Sequence, residues 1–144
     1  MLDAEEAADL ETVIEALVPG SAGAGAVHFI DYQLARPSAD SLLMLRYLGV
    51  AEPHVNFYRS GLMALARHSI ERYGKRPAEL PAPALDQLIT DLITDDTQDW
   101  AGPPASFLYF VWRSDGIDVT YGTEDGMAVL DTPYMAHIRP EQVW

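Results

Sequence analysis

The chain has 144 residues, 49% of them hydrophobic and 22% charged, a composition that suits one globular domain burying roughly 70% of the surface its unfolded form exposes. Its 22 acidic residues against 9 basic ones leave a net charge of −13, which repels nucleic-acid phosphates and anionic headgroups and argues against both as partners. The absence of cysteine removes disulfides, thiolate zinc sites, iron–sulfur ligation and thiol nucleophiles.

The N-terminal stretch MLDAEEAADLETVIEALVPG lacks a basic n-region, an apolar h-region and twin arginines. As written it predicts a cytoplasmic chain, or a periplasmic one if a leader has been removed. Asp3, with Glu6 three positions on, is a capping-box pair that opens a first helix. Ala7, Leu10, Val13, Ile14 and Leu17 recur at helical spacing, and the helix ends near Val18 ahead of Pro19-Gly20. GSAGAG reads as a flexible hinge into AVHFIDYQLA, where Val27, Ile30 and Leu34 share a stripe and Pro37 stops the second helix by Arg36.

Residues 38 to 50 predict a short apolar helix over SLLMLRYL, closed by Gly49. From Pro53, the apolar stripe Val55, Tyr58, Leu62, Leu65 and Ser69 predicts the longest helix, ending at Gly74. GKRPAELPAPAL reads as an extended proline-rich linker, and Pro83 then opens a helix with Leu85, Leu88, Ile89, Leu92 and Ile93 inward. After the acidic loop DDTQDWAGPP, the run ASFLYFVWRSDGI predicts a central helix, the preceding Pro-Pro favouring helix over strand. The expected fold is mainly α: a single helical domain of five to six helices over residues 1 to 117, with an irregular extended C-terminal arm over 118 to 144.

Residues 46 to 76 concentrate Arg46, Arg59, Arg67, Arg72, Lys75 and Arg76 against only Glu52 and Glu71. Two readings follow: a basic face on an acidic body, or arginines paired with acidic helices elsewhere in the fold. His28, His54, His68 and His137 are the near-neutral acid–base candidates, and none falls in a metal-ligand spacing. His54 and His68 lie about 21 Å apart along one predicted helix, so they cannot share a metal. Ser60-Gly61 and Ser114 lack the surroundings of a nucleophile elbow, and the glycines at 20, 23 and 25 do not match a dinucleotide fingerprint. Asp95, Asp96 and Asp99 read as a solvated loop rather than a calcium site.

These readings predict no catalytic, cofactor-binding or metal-binding residue in the chain. They leave an apolar arm, with Tyr121, Met127, Tyr134, Met135, Ile138 and Trp144, of residue types enriched at protein interfaces. The arm either folds back on its own helices or lies against another polypeptide. Gly122, which allows a tight turn, and His137 complete the candidate interface, with Arg59 and Arg67 as secondary candidates on the helical body.

LDAEEAADLETVIEALVPG, GAVHFIDYQLA (Gly25 to Ala35) and TYGTEDGMAVLDTPYMAHIRP, with the turn Tyr121-Gly122, follow one another in an order that resembles the gluconate 2-dehydrogenase subunit 3 family. The resemblance implies a non-catalytic, mainly helical small subunit that carries no cofactor and clasps a large FAD-containing subunit of the glucose–methanol–choline type. That large subunit would oxidise a sugar, glycoside or polyol, with a cytochrome c partner as a possible electron acceptor. A stand-alone helical ligand-binding or regulatory module is the alternative, and a stand-alone enzyme would need His137 with Asp131 or Glu141.

Overall fold

The computed structural model describes residues 1–133, which form seven α-helices and two short 3-10 turns, with no strand among them. Helix α1 (Ala4–Leu17) starts as its sequence dictates. The Asp3 carboxylate accepts from the Glu5 and Glu6 amides, and Glu6 accepts from the Asp3 amide at 2.9 Å, which satisfies donors that a helix start otherwise leaves open. Leu10, Val13 and Ile14 are buried in the core.

The glycine-rich segment after α1 is anchored, in contrast to the expected flexible hinge. The Glu15 carboxylate accepts from the amides of Gly20 at 2.9 Å and Ala22 at 2.8 Å and from the Ser21 hydroxyl at 3.1 Å. Those amide bonds hold the Glu15 carboxyl below its usual range. The turn leads into α2 (Ala26–Leu34), which buries Val27, Ile30 and Leu34 as its stripe predicts.

Between α2 and the long helix, the expected apolar helix shrinks to a 3-10 turn, Ser38–Asp40, and the four-residue α3 (Met44–Tyr47). The segment is held by tertiary bonds instead: Gln33 accepts from the Leu42 amide at 3.0 Å, and Asp115 accepts from the Met44 amide at 2.7 Å. Helix α4 (His54–Tyr73) buries Tyr58, Leu62, Leu65 and Ser69 and closes at Gly74.

The proline-rich stretch that follows is not an extended linker. Pro77–Glu79 winds into a 3-10 turn docked on α1. Buried Asp9 makes this contact, receiving Arg76 at 2.5 Å and the Ala78 amide at 3.1 Å. Replacing Asp9 by Ala strands both donors, so Asp9→Ala is expected to cost about 1–3 kcal/mol. A urea midpoint equal to that of the unaltered protein would refute this.

Helix α5 (Ala82–Thr94) buries Leu88 and Leu92, while Ile93, expected to point inward, lies exposed. Helix α6 (Ala105–Tyr121) occupies the centre, touching α1, α2, α3 and α5, with Leu108, Val111 and Trp112 fully buried. Gly116 lets it approach α1 closely, since a Cβ there would lie 2.8 Å from Ile14 Cγ2. Helix α6 runs four residues past the expected start of the arm and ends at Gly122. Helix α7 (Glu124–Val129) then takes up more of the expected irregular segment, and it packs on α6. None of the helices is long and apolar enough to cross a membrane, among the described residues.

Candidate partner interface

Two buried aspartates tie the helices together and fix which faces look outward. Asp91, on α5, accepts from the Tyr73 hydroxyl at 2.7 Å and the Gln87 amide at 3.3 Å, pairs with His68 at 3.2 Å, and lies 3.4 Å from Arg72 Nε. These partners outweigh its burial and hold its carboxyl below the usual range. Burial and the Asp91 contact push the Tyr73 phenol up to about 12. Asp91 spends its oxygens on joining α4 to α5, so the His68–Asp91 pair is a structural knot. No group of three or more metal-ligating side chains exists among the described residues.

Asp115, on α6, is 1% exposed and accepts from the Tyr58 hydroxyl and from the Met44 amide. Burial pushes its carboxyl up to about 6, although both donors oppose the shift. Burial and the facing carboxylate push the Tyr58 phenol well above its ordinary value. The side chain of Leu43, the residue before α3, supplies no cap, so Asp115 from 71 residues away caps that helix. This bond positions Leu42 and Tyr47, which project outward on either side of buried Leu43 and Leu45.

Two adjoining recesses of 490 Å³ and 480 Å³ share Ala24, Val119 and Thr123. Leu42 and Tyr47 line the first, together with Phe29; Tyr121, Gly126 and Val129 line the second. Tyr47 is 66% exposed and Val129 79%. Large exposed apolar side chains around a recess are what a protein interface needs before it is covered.

Three of the expected interface residues fall at this end of the molecule. The Tyr121 hydroxyl donates to the Pro19 carbonyl at 3.3 Å, tying the end of α6 to the turn after α1. Gly122 caps α6, its amide donating to Asp118 O at 3.0 Å. Met127 is half-buried in α7, and its carbonyl accepts from the Thr132 amide at 3.0 Å. Gly126 is obligatory for this packing, because a Cβ would lie 2.2 Å from the Thr120 carbonyl oxygen. Tyr134, Met135, His137, Ile138 and Trp144 lie outside the described residues.

Arg59 and Arg67 lie elsewhere, on a groove of 960 Å³ between the start of α1 and the outer face of α4. Arg59 pairs with Glu6 at 3.2 Å, Arg76 with Glu5 at 3.1 Å and Asp9 at 2.5 Å, and Arg72 with Asp91 and Asp96. Three of the six basic residues in that cluster, Arg59, Arg72 and Arg76, are thus paired with acidic residues from elsewhere in the chain, as the second of the two readings has it. Leu42, Tyr47, Met63, Ile70 and Val129 were not singled out from the sequence. For Met63 and Ile70 a signal existed, a second helical stripe on α4 at Asn56, Arg59, Met63, Ala66 and Ile70.

No curated protein and no solved structure gave a match to this chain. A family model described as gluconate 2-dehydrogenase subunit 3 matches residues 4–132, which takes in all seven helices. With that match running from the first helix through α7, the chain belongs to the gluconate 2-dehydrogenase subunit 3 family, a component of a multi-subunit dehydrogenase.

Proposed function

We propose that this chain is a non-catalytic small subunit that binds and stabilises the FAD-containing large subunit of a sugar, glycoside or polyol dehydrogenase of the glucose–methanol–choline type. Family membership over residues 4–132 carries the reading, since a component of a multi-subunit enzyme needs a partner. The exposed apolar rim of the α6–α7 recesses supports it, as a surface whose burial would favour association. The hydride acceptor belongs to the partner. FAD supplies two-electron oxidation of a hydroxyl-bearing carbon there, and a cytochrome c subunit would be the next electron carrier. In this chain the glycine-rich turn has already committed the Gly20 and Ala22 amides to the Glu15 carboxylate, and that negative charge disfavours a phosphate in the same place.

Co-expression with a candidate flavoprotein partner of the glucose–methanol–choline type tests the reading. The yield of folded flavoprotein and the dye-linked dehydrogenase activity are expected to fall severalfold when this chain is omitted. Removal of residues 134 to 144, which include Tyr134, Met135, His137, Ile138 and Trp144, is expected to weaken the complex at least tenfold. Equal yield and activity without the chain would overturn the proposal, and would favour a free-standing binding module.

A further inference from the structure

The recess lined by Phe29, Leu42 and Tyr47 has one charged group in its wall, the carboxylate of Asp118. That carboxylate is placed where the isolated chain gains nothing from it. It stands in the last turn of α6, where the helix carbonyls already present negative charge, and no basic residue shares the turn. Asp115 lies three positions earlier on the same helix, and the charge of Asp118 works against ionisation of that buried group. The walls of the recess take water from the Asp118 carboxyl and push it above the usual range, and no contact opposes the shift. Among the described residues no N–H or O–H donates to it and no cation pairs with it, whereas Asp9, Asp91 and Asp115 each have donors of their own. A local rule broken without compensation inside the fold marks a place where a second molecule supplies the compensation.

The surroundings say what kind of group that is. Phe29 and Tyr47 bring aromatic rings to the same recess, and such rings attract cations. Tyr47 already takes one guanidinium, that of Arg46, at 5.7 Å from its ring centroid. Arg46 does not neutralise Asp118, since its Nη1 donates to the Ser41 carbonyl at 3.1 Å. An arginine suits the recess better than a lysine, because a guanidinium is weakly hydrated, stacks on rings and donates two parallel bonds to a carboxylate. A free small amine would leave the rim wet, with Leu42 51% and Tyr47 66% exposed; a protein surface that carries the arginine covers both.

We propose that this recess is a socket for an arginine side chain of the flavoprotein large subunit, its guanidinium paired with Asp118 and the apolar residues beside it laid over Leu42 and Tyr47. The inference rests on the reading of the chain as a dehydrogenase subunit and names the chemistry by which this surface selects its partner. A surface that offers an apolar or acidic group in place of the arginine leaves Asp118 covered and unpaired, which is a larger penalty than the loss of one contact.

Affinity purification of the co-expressed complex with the Asp118→Asn chain, at low and at high salt, tests this. Retention of the flavoprotein is expected to fall tenfold or more and its dependence on salt to flatten, while Asp86→Asn, at an exposed carboxylate on α5, changes neither. The isolated Asp118→Asn chain is expected to melt at the temperature of the unaltered chain or above it, which a residue that only supports the fold would not allow. A photo-reactive phenylalanine analogue in place of Tyr47 is expected to cross-link to an arginine-containing segment of the flavoprotein. Undiminished retention of the Asp118→Asn chain, a lower melting temperature, or a cross-link to residues 134 to 144 or to a second copy of this chain would overturn the socket alone. An unaltered chain that fails to retain the flavoprotein would overturn the proposed function as well.

Discussion

Truncation of Trp112 to alanine is expected to lower the unfolding free energy by about 3–5 kcal/mol, a large part of the ~5–15 kcal/mol that holds a domain of this kind together. Trp112 is fully buried in α6, the helix that touches most of the others, and its ring lies 6.3 Å from that of Tyr58. The cavity left behind would open between α4 and α6, whose facing side chains are fixed by the Tyr58–Asp115 bond and cannot collapse inward freely. Trp112→Phe is expected to cost much less. The indole Nε1 has no hydrogen-bond partner among the described residues, so phenylalanine keeps most of the packing and removes a buried donor that already carries a desolvation penalty. Calorimetry would check both, and a loss below about 1 kcal/mol for Trp112→Ala would show that the core is organised elsewhere.

The protein is expected to be more stable at pH 5 than at pH 8, against the habit of proteins whose carboxylates are all paired. The Asp115 carboxyl, pushed up to about 6 from an ordinary 3.8, binds its proton more tightly when folded than when unfolded. Its stabilising contribution is therefore complete below the unfolded value and is lost as pH rises through about 6. The difference of about two pH units corresponds to on the order of 3 kcal/mol. The groups facing it are the Tyr58 hydroxyl from α4, the Met44 amide from α3 and, one turn along α6, Asp118, whose charge adds to the upward push.

Opposite behaviour is expected further into acid. Asp91, held low by Tyr73, His68, Gln87 and Arg72, contributes stability that is present above its unfolded value and lost as pH falls through its folded one. The two aspartates together place the maximum in mildly acidic solution. Relief of the net charge of −13 also favours the fold as pH falls, so the diagnostic comparison is Asp115→Asn. Asparagine can still accept from the Met44 amide and donate to Tyr58, without a charge to desolvate. The variant should gain on the unaltered protein at pH 8 and lose the slope between pH 5 and 8. Parallel melting curves against pH for the two proteins would contradict the assignment.

The local rules of helix formation lie within a few residues, and where they act alone the sequence by itself determined the outcome. Asp3 and Glu6 cap α1 as written, the stripes at Leu10, Val13 and Ile14 and at Tyr58, Leu62 and Leu65 are buried, and Gly74 ends α4. The motif order that resembles the family was likewise readable, and the match over residues 4–132 agrees with it. Tertiary structure decided what depends on contacts between distant residues. A carboxylate at Glu15 turned an apparent hinge into an anchored turn; Asp9 made a proline-rich linker into a docked one; Asp115 capped a helix formed 71 residues earlier. Continued helix through Tyr121 and the folding of α7 onto α6 shortened the expected arm, because packing against a neighbour outweighs weak local preference. Exposure is the last such property. Met63 and Ile70 fall off the core stripe of α4 in sequence, but the arrangement of α1 beside α4 decides that they face an open groove.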